Sequence, residues 1–190
     1  MKSVKQFFRA DHVGSLLRPE TIKNCREKYF ANKTISKSDL KEIEDEEIIN
    51  VIKMQEKIGF KVVTDGEFRR SWWHYDFIEN LNGIELEQRE TGVKFSGTNL
   101  RPFFPIVTDN IDFPMDHPMI EHFKFVKNNT NAVPKISIPG PSCCHFRTTP
   151  DDIFPPEYKD TDVLFSDIAN TYKKAVKAFY NIGCRYLQMD

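Results

Sequence analysis

The sequence predicts an α/β protein organised on a parallel sheet, and two observations carry that prediction. Compact β-branched segments alternate with amphipathic ones, in the order strand, helix, strand, helix, excursion, strand, helix, strand. Polar and conformationally special residues then follow each strand: His12-Val13-Gly14-Ser15, Asp65-Gly66-Glu67, Gly140-Pro141-Ser142 and Asp190. In parallel α/β folds the loops after the strands open on one face, where ligands bind. An open doubly wound sheet and a barrel both fit the alternation. No Gly-rich dinucleotide fingerprint follows the first strand, which weighs against the open sheet.

Phe7 to Val13 reads as a short strand ending in the turn Gly14-Ser15, and Pro19 opens a short helix. Ser36 with Asp39 three residues on has the form of a capping box. Leu40, Ile43, Ile48, Val51, Ile52 and Ile58 follow at helical spacing, and Gly59 stops the helix. Phe60 to Thr64 is a β-branched strand. Arg70 to Leu81 is expected to be helical. Gly83 to Val107, punctuated by Gly92 and Gly97, reads as a β-hairpin excursion. Met115 to Val126 is expected to be another helix, and Pro134 to Pro139 a strand. Thr149-Pro150-Asp151-Asp152 is a good helix start. Val163, Phe165, Ile168, Ala169, Tyr172, Ala175, Val176 and Phe179 mark an amphipathic helix that Gly183 ends, and Arg185 to Met189 is the last strand.

The bulk properties narrow the function classes. The 190 residues are enough for one domain with a real core, and residues 1–190 are read as a single domain. A net charge of −1 gives no broad pull toward nucleic acid or anionic membrane. No apolar run reaches the ~20 residues of a membrane span, and Met1 to Arg9 lacks the apolar stretch of a secretory signal. Cys25, Cys143, Cys144 and Cys184 do not have the spacing of a disulfide scaffold, so reduced thiols and a cytoplasmic location are expected.

The strand-end residues suggest specific chemistry, each with a plainer alternative. Gly14-Ser15 offers backbone N–H groups and a hydroxyl suited to a carboxylate, or is simply a tight turn. Glu67 and Asp190 can each bind an ammonium group. Glu67 can instead pair with Arg69 or Arg70, and Asp190 can be a solvated carboxylate. His12, Asp65 and Ser142 belong to the same face, His12 as an acid, a base, a ligand or a hydrogen-bonding residue. Cys143-Cys144-His145 invites a metal reading, but neighbouring strand residues point to opposite sides and do not converge on one ion. Trp72-Trp73 beside Arg69-Arg70 has the look of a base-stacking patch. The near-neutral charge favours a buried aromatic pair on a helix instead.

Four segments together resemble the cobalamin-independent methionine synthase family, in the superfamily that also contains uroporphyrinogen decarboxylase. They are DHVGSLLRP from Asp11, VVTDGEFRRSWWHYDFIENLNGIE from Val62, IPGPS from Ile138 and YLQMD from Tyr186. The resemblance spans essentially the whole chain and is nearest to the short, single-barrel members. It implies a TIM (β/α)8 barrel of which this chain supplies the N-terminal half, roughly the first four strands. It implies a methyltransferase moving a methyl group from a methylated folate to homocysteine, with no nucleic acid or membrane partner. Carried over residue by residue, the homocysteine contacts fall on Val13, Gly14 and Ser15, on Glu67 and on Asp190. The family's zinc is implied too, without cobalamin. Its His, Cys and Glu ligands are expected beyond residue 190, so no catalytic or metal residue is expected within the chain, and a half-barrel alone is expected to be inactive. Arg147 stands where the long members carry a folate-packing Trp, which opens the alternatives of another thiol, another one-carbon donor or a non-catalytic half-barrel.

Overall fold

The computed structural model describes residues 11–90, 94–95, 98–99, 102–145, 148–153, 158 and 160–190. Chain contacts divide it into two compact units. The first comprises residues 1–70, 121–137 and 184–188, the second residues 71–120, 138–183 and 189–190.

In chain order the elements are α1 (Glu20–Phe30), α2 (Lys37–Lys57), β1 (Val62–Val63), α3 (Tyr75–Ile78), β2 (Asn82–Gln88), β3 (Lys94–Phe95), β4 (Thr98–Asn99) and β5 (Phe103–Asp112). Then come α4 (Pro118–Asn128), β6 (Val133–Pro134), β7 (Ile136–Ile138), a 3-10 turn (Pro141–His145), α5 (Pro150–Ile153), α6 (Thr161–Asn181) and β8 (Leu187–Met189). The α/β class of the sequence is therefore the class of the fold. No closed barrel forms among the described residues.

The first unit holds the parallel strands. β1 pairs with β6, Val62 opposite Val133 and Val63 opposite Pro134. The Lys135 N–H continues the ladder to the Val63 carbonyl at 2.9 Å, and Ile136 N–H turns to Tyr186 O at 3.3 Å. One strand segment thus has β1 on one edge and the approach to β8 on the other. Helix α2 packs across it because its apolar stripe faces inward: Ile48, Val51 and Ile52 bury with Ile22, Val63, Phe68 and Val126. The helix starts where the capping box requires. Ser36 Oγ accepts from Asp39 N at 3.1 Å, and Asp39 Oδ2 accepts from Ser36 N at 2.8 Å. Gln55, only 1% exposed, joins helix to strand by donating to Thr64 O and accepting from Thr64 N.

The second unit is built on the antiparallel pair β2–β5, in register from Ile84–Val107 to Gln88–Phe103. β3 and β4 form a small antiparallel pair between them in sequence, so the excursion is a hairpin that runs on to Asp112. Gly92 and Gly97 lie outside the described residues. Thr171 and Tyr158 hold α6 to β5, the Thr171 hydroxyl donating to Ile111 O at 3.0 Å and Ile111 N donating to Tyr158 Oη at 2.8 Å. Phe77, Phe113, His117, Tyr172 and Phe179 form its aromatic core.

Several expectations change. Of the first expected strand, residues 7–10 lie outside the described residues, and Asp11 to Val13 are not in a strand. Arg70 to Leu81 is not one helix; only Tyr75–Ile78 is helical. Asp76 takes the Ser71 and Trp72 N–H groups at 2.8 and 2.7 Å, so a side chain satisfies donors that would otherwise enter a helix ladder. Trp72 and Trp73 are therefore not a buried helical pair. Trp72 packs on Tyr75 and Phe103, and Trp73 is 43% exposed. Cys143, Cys144 and His145 sit in the 3-10 turn rather than on a strand.

Candidate functional site

Two turns of the first unit are stitched together. Leu16 N–H donates to Gly66 O at 3.1 Å, and the Ser15 hydroxyl donates to Leu16 O and Gly66 O at 2.9 and 3.3 Å. Both turns need left-handed backbone. Gly14 has φ +83°, and Gly66 has φ +66°. A Cβ on Gly66 would lie 3.0 Å from Phe68 and 3.3 Å from Leu16, so conformation and space both call for glycine there.

Glu67 also has φ +58°, which is costly for a residue with a Cβ. Asp65, Arg18, Ser137 and Arg70 hold it. Asp65 Oδ1 accepts from Glu67 N at 2.9 Å, closing an Asx turn. Arg18 Nη2 donates to the carbonyls of Glu67 and Arg70, both at 2.7 Å. The Glu67 carboxylate itself takes the Ser137 hydroxyl at 3.3 Å and Arg70 at 3.5 Å. Of the two arginines expected as partners, Arg70 is thus the one that pairs. Arg69 goes to Glu44 and Asp45. Such a conformation persists only where the surroundings hold it in place.

His12, Val13, Gly14, Asp65, Glu67, Arg70, Lys135 and Ser137 line a small cradle with room of about 10 Å³, space for about one water or one ligand oxygen. Beneath it sits a buried ionic group. Lys135 Nζ lies 2.7 Å from Asp11 Oδ2 and donates to His12 O at 3.0 Å, while the Tyr186 hydroxyl donates to the same Asp11 oxygen at 2.8 Å. Burial raises the Asp11 carboxyl, but the hydrogen bonds from Lys135 and Tyr186 outweigh it and leave the group below the usual carboxylate range. Neither Arg18 nor Lys135 was marked by the sequence. Their partners lie 49 to 52 and 123 to 124 residues away, so no local pattern announces them.

Of the expected substrate residues, Val13, Gly14 and Glu67 line this cradle, and Ser15 ties the two turns together. His12 and Asp65 belong to it as well. Asp190 and Ser142 belong to the second unit. Asp190 follows β8 directly and is exposed, with its N–H donating to Ile138 O at 3.0 Å and its carbonyl accepting from Gly140 N at 2.6 Å. That close approach fits Gly140, where a Cβ would stand 3.0 Å from Asp190 O. Ser142 is exposed at the start of the 3-10 turn. Arg147 lies outside the described residues.

All four cysteines are buried, free thiols. Burial pushes the Cys144 thiol up to about 12, so it stays protonated at neutral pH. No cluster of three or more His, Cys, Asp or Glu able to hold a metal occurs among the described residues.

Residues 8–190 match the family model described as cobalamin-independent synthase, catalytic domain. The chain belongs to that family. It is 44% identical over 190 residues to the uncharacterized protein YxjH of Bacillus subtilis, covering 100% of this chain and 49% of that protein. It is 28% identical over 183 residues to a 5-methyltetrahydropteroyltriglutamate–homocysteine methyltransferase of a Thermotoga species, covering 94% of this chain and 23% of the relative. A crystal structure from Listeria monocytogenes, assigned as a vitamin-B12 independent methionine synthase, superposes with TM-score 0.79 at 42% identity over 96% of this chain and 51% of its own. A methionine synthase structure from Shewanella, solved with selenomethionine, shares the fold at TM-score 0.60 and 22% identity, over 82% of this chain and 43% of that one. The chain thus spans about half the length of YxjH and of the Listeria protein. No described helix is long and apolar enough to cross a membrane.

Proposed function

We propose that this chain carries the amino-acid-binding part of a cytoplasmic methyltransferase that methylates homocysteine to methionine. The observation that supports this best is Glu67, a buried carboxylate held at positive φ beside a left-handed glycine turn. An amino acid has an ammonium and a carboxylate on one carbon. Glu67 is the counter-charge for the ammonium, and the N–H groups of the Val13-Gly14-Ser15 turn are donors for the carboxylate. Asp190 is proposed as a second carboxylate for the ammonium, on the strength of the family resemblance. The methyl donor is proposed to be a methylated folate, whose N5–CH3 bond breaks as the homocysteine sulfur forms the new S–CH3 bond.

The zinc implied by the family finds no ligand set among the described residues, so the proposal for this chain is confined to binding and orienting the amino acid. Zinc ligands, and a barrel closed by further strands, are proposed for the full-length protein beyond residue 190.

The test is methionine formation by full-length protein from homocysteine and a methylated tetrahydrofolate, with and without Glu67→Gln. Wild type is expected to form methionine. The variant, which loses a buried charge-assisted contact of about 2–4 kcal/mol, is expected to bind homocysteine roughly 30- to 1000-fold more weakly. Methionine formation only with a different thiol or one-carbon donor would move the reading to the alternative that Arg147 raises. Equal affinity in Glu67→Gln would remove Glu67 from the site.

A further inference from the structure

One polar atom of the cradle is not accounted for by the turns. His12 Nε2 is buried and has no hydrogen-bond partner among the described residues. The ring lines the notch together with Gly14, Glu67, Arg70, Lys135 and Ser137. Leaving such an atom unsatisfied when buried is costly, and a bound molecule that satisfied it would recover that cost. The residue is anchored where it stands, because its carbonyl accepts a 3.0 Å hydrogen bond from Lys135 Nζ. The Lys135 side chain is 1% exposed and fixed in turn by Asp11.

The surroundings indicate what the nitrogen is for. The room of about 10 Å³ suits a single oxygen rather than a methylene chain. The two cations of the cradle already face carboxylates, Arg70 at 3.5 Å from Glu67 and Lys135 at 2.7 Å from Asp11. Their further N–H groups go to the Ser137 and His12 carbonyls, whereas His12 Nε2 has no partner among the described residues, and an imidazole with its proton on Nε2 donates from there.

We propose that His12 contacts the substrate directly, its Nε2–H donating to a carboxylate oxygen of the bound amino acid beside the N–H groups of the Gly14-Ser15 turn. This rests on the amino-acid site proposed above and adds a side-chain donor that sets specificity for the carboxylate. An amino acid and its decarboxylated amine share the ammonium and the thioether, so they differ at the group His12 would read.

Calorimetry on full-length protein decides it, with L-methionine and 3-(methylthio)propylamine as ligands for wild type, His12→Phe and His12→Gln. Melting curves on all three check the fold. His12→Phe is expected to weaken methionine binding about ten- to hundredfold and to leave the amine unchanged. His12→Gln, which restores an N–H donor, is expected to recover most of the methionine affinity. Unchanged methionine binding in His12→Phe would show that the notch holds only a water, and would overturn the proposal. Equal losses for both ligands, or no recovery with Gln, would overturn it in favour of a structural role. Where the amine binds too weakly to measure, recovery with Gln alone decides. Wild type that binds no methionine would instead defeat the amino-acid site itself, and this inference with it.

Discussion

Glu44 and Glu67 are both buried, 6% and 5% exposed, and both face arginine, yet they are built differently. Glu44 sits in the middle of α2, where the helix gives it ordinary backbone. It takes Arg26 at 3.1 Å and Arg69 at 3.3 Å, and Arg69 reaches on to Asp45. Burial nevertheless holds the Glu44 carboxyl above its usual range, only partly offset by the two arginines. Glu67 stands on a turn with φ +58°, faces a notch, and is held from behind by backbone contacts with Asp65 and Arg18. One network closes a seam between α1, α2 and the β1 turn. The other uses similar charges to keep a carboxylate aimed at a space. Charge and burial do not separate the two; the left-handed backbone and the notch that Glu67 lines do.

This contrast can be broken experimentally. The largest expected effect is on stability. Glu44→Ala removes the buried carboxylate that Arg26 and Arg69 share, leaving Arg26 with Arg69 O and Arg69 with Asp45, and is expected to cost about 3 kcal/mol, read by denaturant unfolding, while methionine affinity of the folded protein stays within about twofold. A loss of affinity as large as in Glu67→Gln would erase the distinction between seam and site. Gly66→Ala is next. It forces a Cβ into left-handed backbone 3.0 Å from Phe68, at an expected cost of about 1–3 kcal/mol, and should weaken methionine binding as well because Glu67 follows directly. Stability lost with no change in affinity would show that the turn's conformation does not aim Glu67. The smallest effect is on acid unfolding. Asp11 has a lowered carboxyl in the fold, so its contribution is present above the unfolded-state value of about 3.9 and is lost as pH falls through the lower folded value. Asp11→Asn is expected to flatten the fall of stability with pH below about 4, as followed by circular dichroism. An unchanged acid limb would mean that other carboxylates carry it.

The residues that were legible in the sequence are those whose reason is local. Ser36 and Asp39 cap α2 because their partners are three residues apart. Asp65-Gly66-Glu67 could be read as a special turn from its composition, and Gly14-Ser15 as a turn from its place after the strand expected over Phe7 to Val13. What stayed hidden depends on distant partners. Arg18 clamps carbonyls 49 and 52 residues on, and the Glu44 seam joins residues 18 to 25 apart. Arg70 to Leu81 failed as a helix for a reason also written in tertiary detail, since Asp76 folds back to claim the Ser71 and Trp72 N–H groups. Trp72-Trp73 was misread with it, because the pair was placed on a helix that does not form there.

The Lys135 group has a consequence for how the molecule assembles. Its ammonium joins Asp11 across 124 residues, and the same Asp11 oxygen meets Tyr186 across 175. Contacts of such separation are made only after most of the chain has lost its freedom. The opening turn therefore cannot lock until the segment before β8 has been synthesised and has docked. A nascent chain that has completed α1 and α2 has Asp11, His12, Val13 and Gly14, but not yet Glu67, Lys135 or Tyr186, which complete the cradle and the group beneath it. The capacity to hold a ligand is then gained late in folding, when these distant contacts close the unit.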